Sequence, residues 1–223
     1  MADQSWPSAE RTWKERAVER SLSAARDEAI NRSGLLLVAA RELLEETGGM
    51  DFTVQEIVDR SGLSLRSFYK HFASKDDLLL ALLEEVLQQF GDELRAVVEP
   101  FDDPADQLHA YVASFYGRAT TRAERARSTA VGSYHLRMLE VHREDFLRAM
   151  GPQIEVLRGV IEAGAASGRF RQDLTPREMT GLLTHTLMSI VQLQLFDVNL
   201  TGEELDVDAL WRWCAASVGV DPA

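Results

Sequence analysis

Apolar residues recur along the chain at intervals of three and four, and this spacing, with no convincing strand alternation, predicts helices. Leu36, Leu37, Ala40, Leu43 and Leu44 share one helical face, and Gly48 and Gly49 end that run as a C-cap does. Thr53, Val54, Gln55 and Glu56 then form a capping box, in which the hydroxyl and the carboxylate each satisfy an orphan amide of the new helix. Val54, Ile57 and Val58 are its apolar face. Gly62 breaks that helix after Ser61, and Ser64 caps a third, with Phe68 and Phe72 on one side, four residues apart. Ser74 with Asp77 gives a further box ahead of Leu78, Leu79, Leu82, Leu83, Val86 and Leu87, a long amphipathic helix reaching about Val98 that links two domains.

Pro100 to Pro104 is a turn-rich boundary, beyond which helical periodicity covers residues 105–121, 126–150, 153–167, 176–196 and 206–218. The opening stretch is an arm of dense mixed charge with Trp6 and Trp13, helical from Glu10 on. Its cations Arg11, Lys14, Arg16, Arg20, Arg26 and Arg32 alternate with Glu10, Glu15, Glu19, Asp27 and Glu28. Salt-bridged helix faces fit that mixture better than an arm laid in a minor groove, with Arg32 kept as a candidate phosphate contact.

The 223 residues carry a formal net charge of −12, which argues at first against nucleic acid, because duplex affinity depends on cations that neutralise phosphates. The charge is unevenly spread. Up to Leu80 there are 11 basic and 14 acidic residues, against 13 and 22 beyond, so the two parts carry −3 and −9. From Arg60 to Lys75 the chain has Arg60, Arg66, Lys70 and Lys75 and no acid, a basic footprint on an acidic body. The single cysteine, Cys214, cannot form an intrachain disulfide, which suits a reducing cytosol, and the N-terminus lacks a signal-peptide pattern. The uncharged stretch of residues 180–196 is short for a membrane span and holds His185, Ser189, Gln192 and Gln194, so a helix buried by protein is expected.

With Phe68 and Phe72 facing inward, a rotation of about 100° per residue puts Arg66 and Lys70 on the opposite side, with Tyr69 and Ser67 on the flanks. A recognition helix in a major groove needs such a face. Arg pairs with guanine edges, whereas Lys, Tyr and Ser reach phosphates. Free amides at the helix starts near Thr53 and Lys75 add partial positive charge.

Thr53-Val54, Glu56-Ile57, Ser61-Gly62-Leu63-Ser64, Ser67 to Phe72 and Ser74 to Leu78, with the paired alanines Ala39 and Ala40, together resemble the signature of TetR-type transcriptional regulators over about Leu36 to Leu83. The resemblance implies an all-α protein: an N-terminal arm (1–28), a three-helix helix-turn-helix DNA-binding domain (29–80), and an all-helical effector-binding and dimerisation domain (81–223). It implies that Thr53, Tyr69, His71 and Lys75 touch phosphates, and that Ser64, Leu65, Arg66, Ser67 and Lys70 lie at or near base edges. Arg66 departs from the glycine common there and serves either a base or a phosphate. Leu65 fits core packing and a thymine methyl equally well.

The resemblance further implies a cytoplasmic, ligand-responsive regulator, a repressor in the first instance, that binds a palindromic operator as a homodimer closed by its last two helices. Leu182, Leu183, Leu187, Ile190, Val191 and Leu193, with Trp211 and Trp213, suit that closure. A small, apolar effector would meet aromatic and soft side chains among the middle helices, for which Tyr111, Phe115, Tyr134, Met138 and His185 are the candidates. No metal or other cofactor is expected: His135 and His142 lie seven apart without a carboxylate at ligand spacing. The chain has neither a phosphate loop nor a nucleophile elbow, so an enzyme is not expected.

Overall fold

The computed structural model describes residues 12–117, 140–195, 198, 202 and 205–221, and no β-strand occurs among them. The helices are α1 (Trp13–Thr47), α2 (Val54–Ser61), α3 (Leu65–His71), α4 (Lys75–Val98), α5 (Pro104–Gly117), α6 (Arg143–Ala149), α7 (Gly151–Ala166), α8 (Pro176–Leu195) and α9 (Val207–Ser217).

The helix starts follow local chemistry. Thr12 with Glu15, and Thr53 with Glu56, form complete capping boxes, and Ser64, Ser74 and Asp206 each accept the amide of the third residue of their helices. Between α2 and α3 the chain must reverse within three residues, and Gly62 does so at φ 69°, in the left-handed region where a side chain would be strained.

Two cores result. The first gathers Leu36, Ala39, Ala40 and Leu43 of α1, Ile57 and Val58 of α2, Phe68 of α3, and Leu78 to Leu87 of α4, and it also takes in Phe146, Ala149 and Met150. The second joins Phe90, Leu94 and Val98 of α4 to α5, α7, α8 and α9. The connector α4 therefore belongs to both, and the division expected at residues 80 and 81 falls inside it.

Some boundaries differ from the expectation. The arm is not separate from the first core helix where described: α1 runs 35 residues without a break from its cap at Thr12, a length of about 52 Å. The helix expected over 126–150 is described from residue 140 and is interrupted at His142, whose φ of −129° and ψ of 48° leave the helical region. Met150 then separates α6 from α7. No described helix is long and apolar enough to cross a membrane.

Candidate nucleic-acid interface

Helix α3 has two unlike sides because Phe68 is wholly buried against α1, α2 and α4 while Arg66, Tyr69 and Lys70 are exposed. Phe68 meets Tyr69 edge-on, with ring centroids 5.2 Å apart, so the tyrosine ring leans on the core while its side chain stays 56% exposed. Arg66 and Lys70 are exposed, and among the described residues neither has an ion-pair partner. Leu65 is 44% exposed, so packing does not claim it. Ser64 is exposed and spends its hydroxyl oxygen on the Ser67 amide at 3.1 Å.

Ser67, expected on a flank, is only 9% exposed, and its hydroxyl has no partner among the described residues. The Nε2 of His71 is likewise buried without a partner among the described residues. Thr53 accepts from the Glu56 amide and donates 2.8 Å to the Glu56 carboxylate, which also takes the Thr53 amide at 2.6 Å. Those bonds, the backbone one foremost, hold the Glu56 carboxyl below its usual range.

The acid-free run is less uniform in space than in sequence. Arg60 turns back onto α1, pairing with Glu46 at 2.7 Å and Glu42 at 3.5 Å. The Lys75 ammonium donates to the carbonyls of Met50 and Phe52, at 2.5 and 2.7 Å. Two cations thus brace the domain, and two, Arg66 and Lys70, stand outward on α3. Sequence spacing alone gave no sign of this division, because both tethered cations reach partners far away in the chain.

Of the expected effector residues, Tyr111 and Phe115 meet and His185 lies apart from them. Tyr111 and Phe115 are buried in the second core, stacked with centroids 5.8 Å apart, and burial pushes the Tyr111 hydroxyl well above its ordinary pKa. Tyr134 and Met138 lie outside the described residues. His185 sits on the exposed side of α8, away from that core, its Nδ1 2.6 Å from the Gly181 carbonyl. Its helix buries the opposite side, through Met179, Leu183 and Leu187, so His185 does not share a hollow with Tyr111. Two open grooves of about 390 and 480 Å³ flank α4, lined by Val98, Val156 and Val160 in one and Ala81, Gln88 and Pro152 in the other. Tyr111, Phe115 and His185 do not line them.

A residue not anticipated is Gln153, 1% exposed, whose Nε2 donates to the Leu87 carbonyl of α4 at 3.1 Å while the Tyr111 hydroxyl donates to its main-chain carbonyl at 3.2 Å. A polar residue between apolar neighbours at the start of α7 was its only sequence signal. Among the described residues no group of three or more potential metal ligands occurs.

Comparison with known proteins gives a consistent result. Residues 36–82 match the pattern that defines bacterial regulatory proteins of the tetR family. The HTH-type transcriptional repressor NicS of Pseudomonas putida is 27% identical over 162 residues, 72% of this chain and 73% of NicS. The HTH-type transcriptional repressor KstR2 of Rhodococcus jostii is 31% identical over 159 residues, 66% of this chain and 74% of KstR2. A crystal structure of the regulator FadR of Bacillus subtilis in complex with stearoyl-CoA matches with a TM-score of 0.63 at 19% identity, over 83% of this chain and 97% of that one.

Proposed function

Because the chain belongs to the tetR family of bacterial regulatory proteins, and is therefore a helix-turn-helix transcriptional regulator and not an enzyme, we propose that it is a cytoplasmic repressor that binds a palindromic operator as a homodimer and leaves it when a small effector binds. The observation that carries this reading is the exposed outer side of α3, where Arg66, Tyr69 and Lys70 stand, among the described residues, free of acidic partners over a core-locked Phe68. Two copies of α3, about 34 to 36 Å apart, would enter successive major grooves.

Within that arrangement Leu65, Arg66 and Lys70 lie at or near base edges, with Ser64 beside them, and Tyr69 and Thr53 hold phosphates. The amide of Lys75, in the first turn of the 24-residue α4, is a further phosphate donor. Leu182 and His185 on α8 and Trp213 on α9, all exposed, supply a face for the second protomer. Tyr111 and Phe115 supply one aromatic wall of the effector site.

NicS and KstR2 are named as repressors, and the FadR structure contains stearoyl-CoA. Effector release follows from differential affinity: a ligand that binds the DNA-incompetent state more tightly depopulates the other, whereas equal affinity shifts nothing.

Mobility shift with DNA from upstream of the protein's own gene tests the reading. Specific, salt-sensitive retardation is expected, with two protomers per duplex by sedimentation. Binding of apolar metabolites without any specific DNA complex would instead favour a helical ligand-binding protein.

A further inference from the structure

Lys75 opens α4 directly after its cap at Ser74, where the family resemblance expects a cation on the DNA backbone. The ammonium points the other way. Its Nζ lies 2.5 Å from the Met50 carbonyl, 2.7 Å from the Phe52 carbonyl and 5.0 Å from the centre of the buried Phe52 ring. An ammonium has three N–H donors, and two are committed to carbonyls across a sequence separation of 25 and 23 residues. The remaining flank is occupied by an aromatic face, an arrangement that favours a cation.

Both carbonyls belong to the segment joining α1 to α2, and Phe52 immediately precedes Thr53, the cap of α2. Lys70, by contrast, is exposed on α3 with no described ion-pair partner. We infer that the Lys75 ammonium is a positioning group: it ties the start of α4 to the segment ahead of α2 and so fixes the two helix starts, at Thr53 and Ser74, relative to each other. This rests on the DNA-binding reading only for its consequence; the clamp itself is a property of the free protein. Such a clamp aids binding by holding the donors in place before DNA arrives. It makes no phosphate contact of its own.

The test compares Lys75→Met, which keeps the apolar stem over Phe52 but removes every donor, with Lys70→Met. In the free protein, hydrogen exchange of Lys75→Met should show protection lost over residues 50–58 and retained in α4. Salt titrations by fluorescence anisotropy use a short duplex from the footprinted upstream region. Lys75→Met, at its measured active concentration, should bind that duplex about tenfold more weakly, with non-specific affinity and the log–log salt slope unchanged. Lys70→Met, which removes an exposed cation that α3 presents to the duplex, should flatten the slope, by about 0.9 where that ammonium neutralises one phosphate. General destabilisation would lower the active fraction without altering the ratio of specific to non-specific affinity.

A second measurement needs no variant: nitrogen-15 spectra of the wild-type lysine ammonium should show hydrogen-bond couplings to the Met50 and Phe52 carbonyls that persist when DNA is added. Unchanged protection over residues 50–58 in Lys75→Met, a slope flattened by that substitution, or coupling of Nζ to phosphorus would each overturn the clamp. Failure of the wild type to bind any specific duplex would defeat the DNA-binding reading and leave the exchange result to decide the clamp.

Discussion

Gly91 of α4 lies so close to Pro152 of α7 that a Cβ at Gly91 would stand 2.4 Å from the Pro152 Cβ and 3.1 Å from its carbonyl carbon. One residue further along α7, the Gln153 amide holds the Leu87 carbonyl, one helical turn before Gly91. This crossing sits where α4 passes from the first core into the second, so it fixes the effector domain on the helix that enters the DNA-binding domain.

Gly91→Ala should therefore lower the melting temperature, although alanine favours a helix by about 1 kcal/mol over glycine. Proline ring and backbone cannot swing aside as a long side chain can, and overpacking costs about 1 to 3 kcal/mol. Thermal unfolding followed by circular dichroism measures the balance. A melting temperature equal to or above that of the wild type would mean that the crossing is looser than described.

Phe68 and Tyr69 are neighbours with opposite roles, which substitution should separate. Phe68→Ala removes the buried centre of the first core and should cost about 3 to 5 kcal/mol of stability. Tyr69→Ala, at an exposed position, should leave stability within about 1 kcal/mol while weakening DNA binding by about tenfold or more, the scale of one or two hydrogen bonds to a charged group. Chemical denaturation and binding titrations on the same preparations check both. Equal effects of the two changes on stability would contradict the two-sided α3.

Acid sensitivity should trace in part to the cap of α2. The Glu56 carboxyl is held below its ordinary value of 4.5, first by the Thr53 amide and then by the Thr53 hydroxyl. A depressed folded value means that its contribution is complete above 4.5 and is lost as pH falls through the lower folded value. Glu46, held down by Arg60, and Glu178, held down by Thr175, act in the same direction. Glu56→Gln keeps an acceptor but no titrating charge, so melting temperature against pH should fall less steeply on the acid side. An acid limb as steep as that of the wild type would remove Glu56 from this account.

Helix existence and type were legible in the sequence because their causes are local. Thr53 with Glu56, Ser74 with the Asp77 amide, and the turn glycine Gly62 act within four residues and appear where expected, although the Asp77 carboxylate takes the Ala73 amide and not that of Ser74, so the second box is half formed. What depended on distant contacts was not legible. The apolar run of α8 has two usable sides, and only packing against α5 and α7 decides that Leu183 and Leu187 face inward and His185 outward. The same holds for Lys75 and Arg60, whose partners lie many residues upstream, and for Ser67, which a helical wheel leaves on a flank but neighbouring helices enclose. The arm's helicity was legible from Glu10 on, but not that it continues without a break into the first core helix.

The most direct measurement of the central claim is a salt titration of the upstream duplex with wild-type protein and with Arg66→Ala and Lys70→Ala, read by fluorescence anisotropy. The wild type should bind specifically, with log affinity falling linearly in log salt. Lys70→Ala should bind more weakly; Arg66→Ala should lose about 1 to 3 kcal/mol of discrimination at one base pair if it reads a guanine edge. Circular dichroism should show both variants folded. Specific binding that survives both substitutions unchanged, or no specific binding by the wild type, would contradict the assignment of the outer side of α3 to DNA.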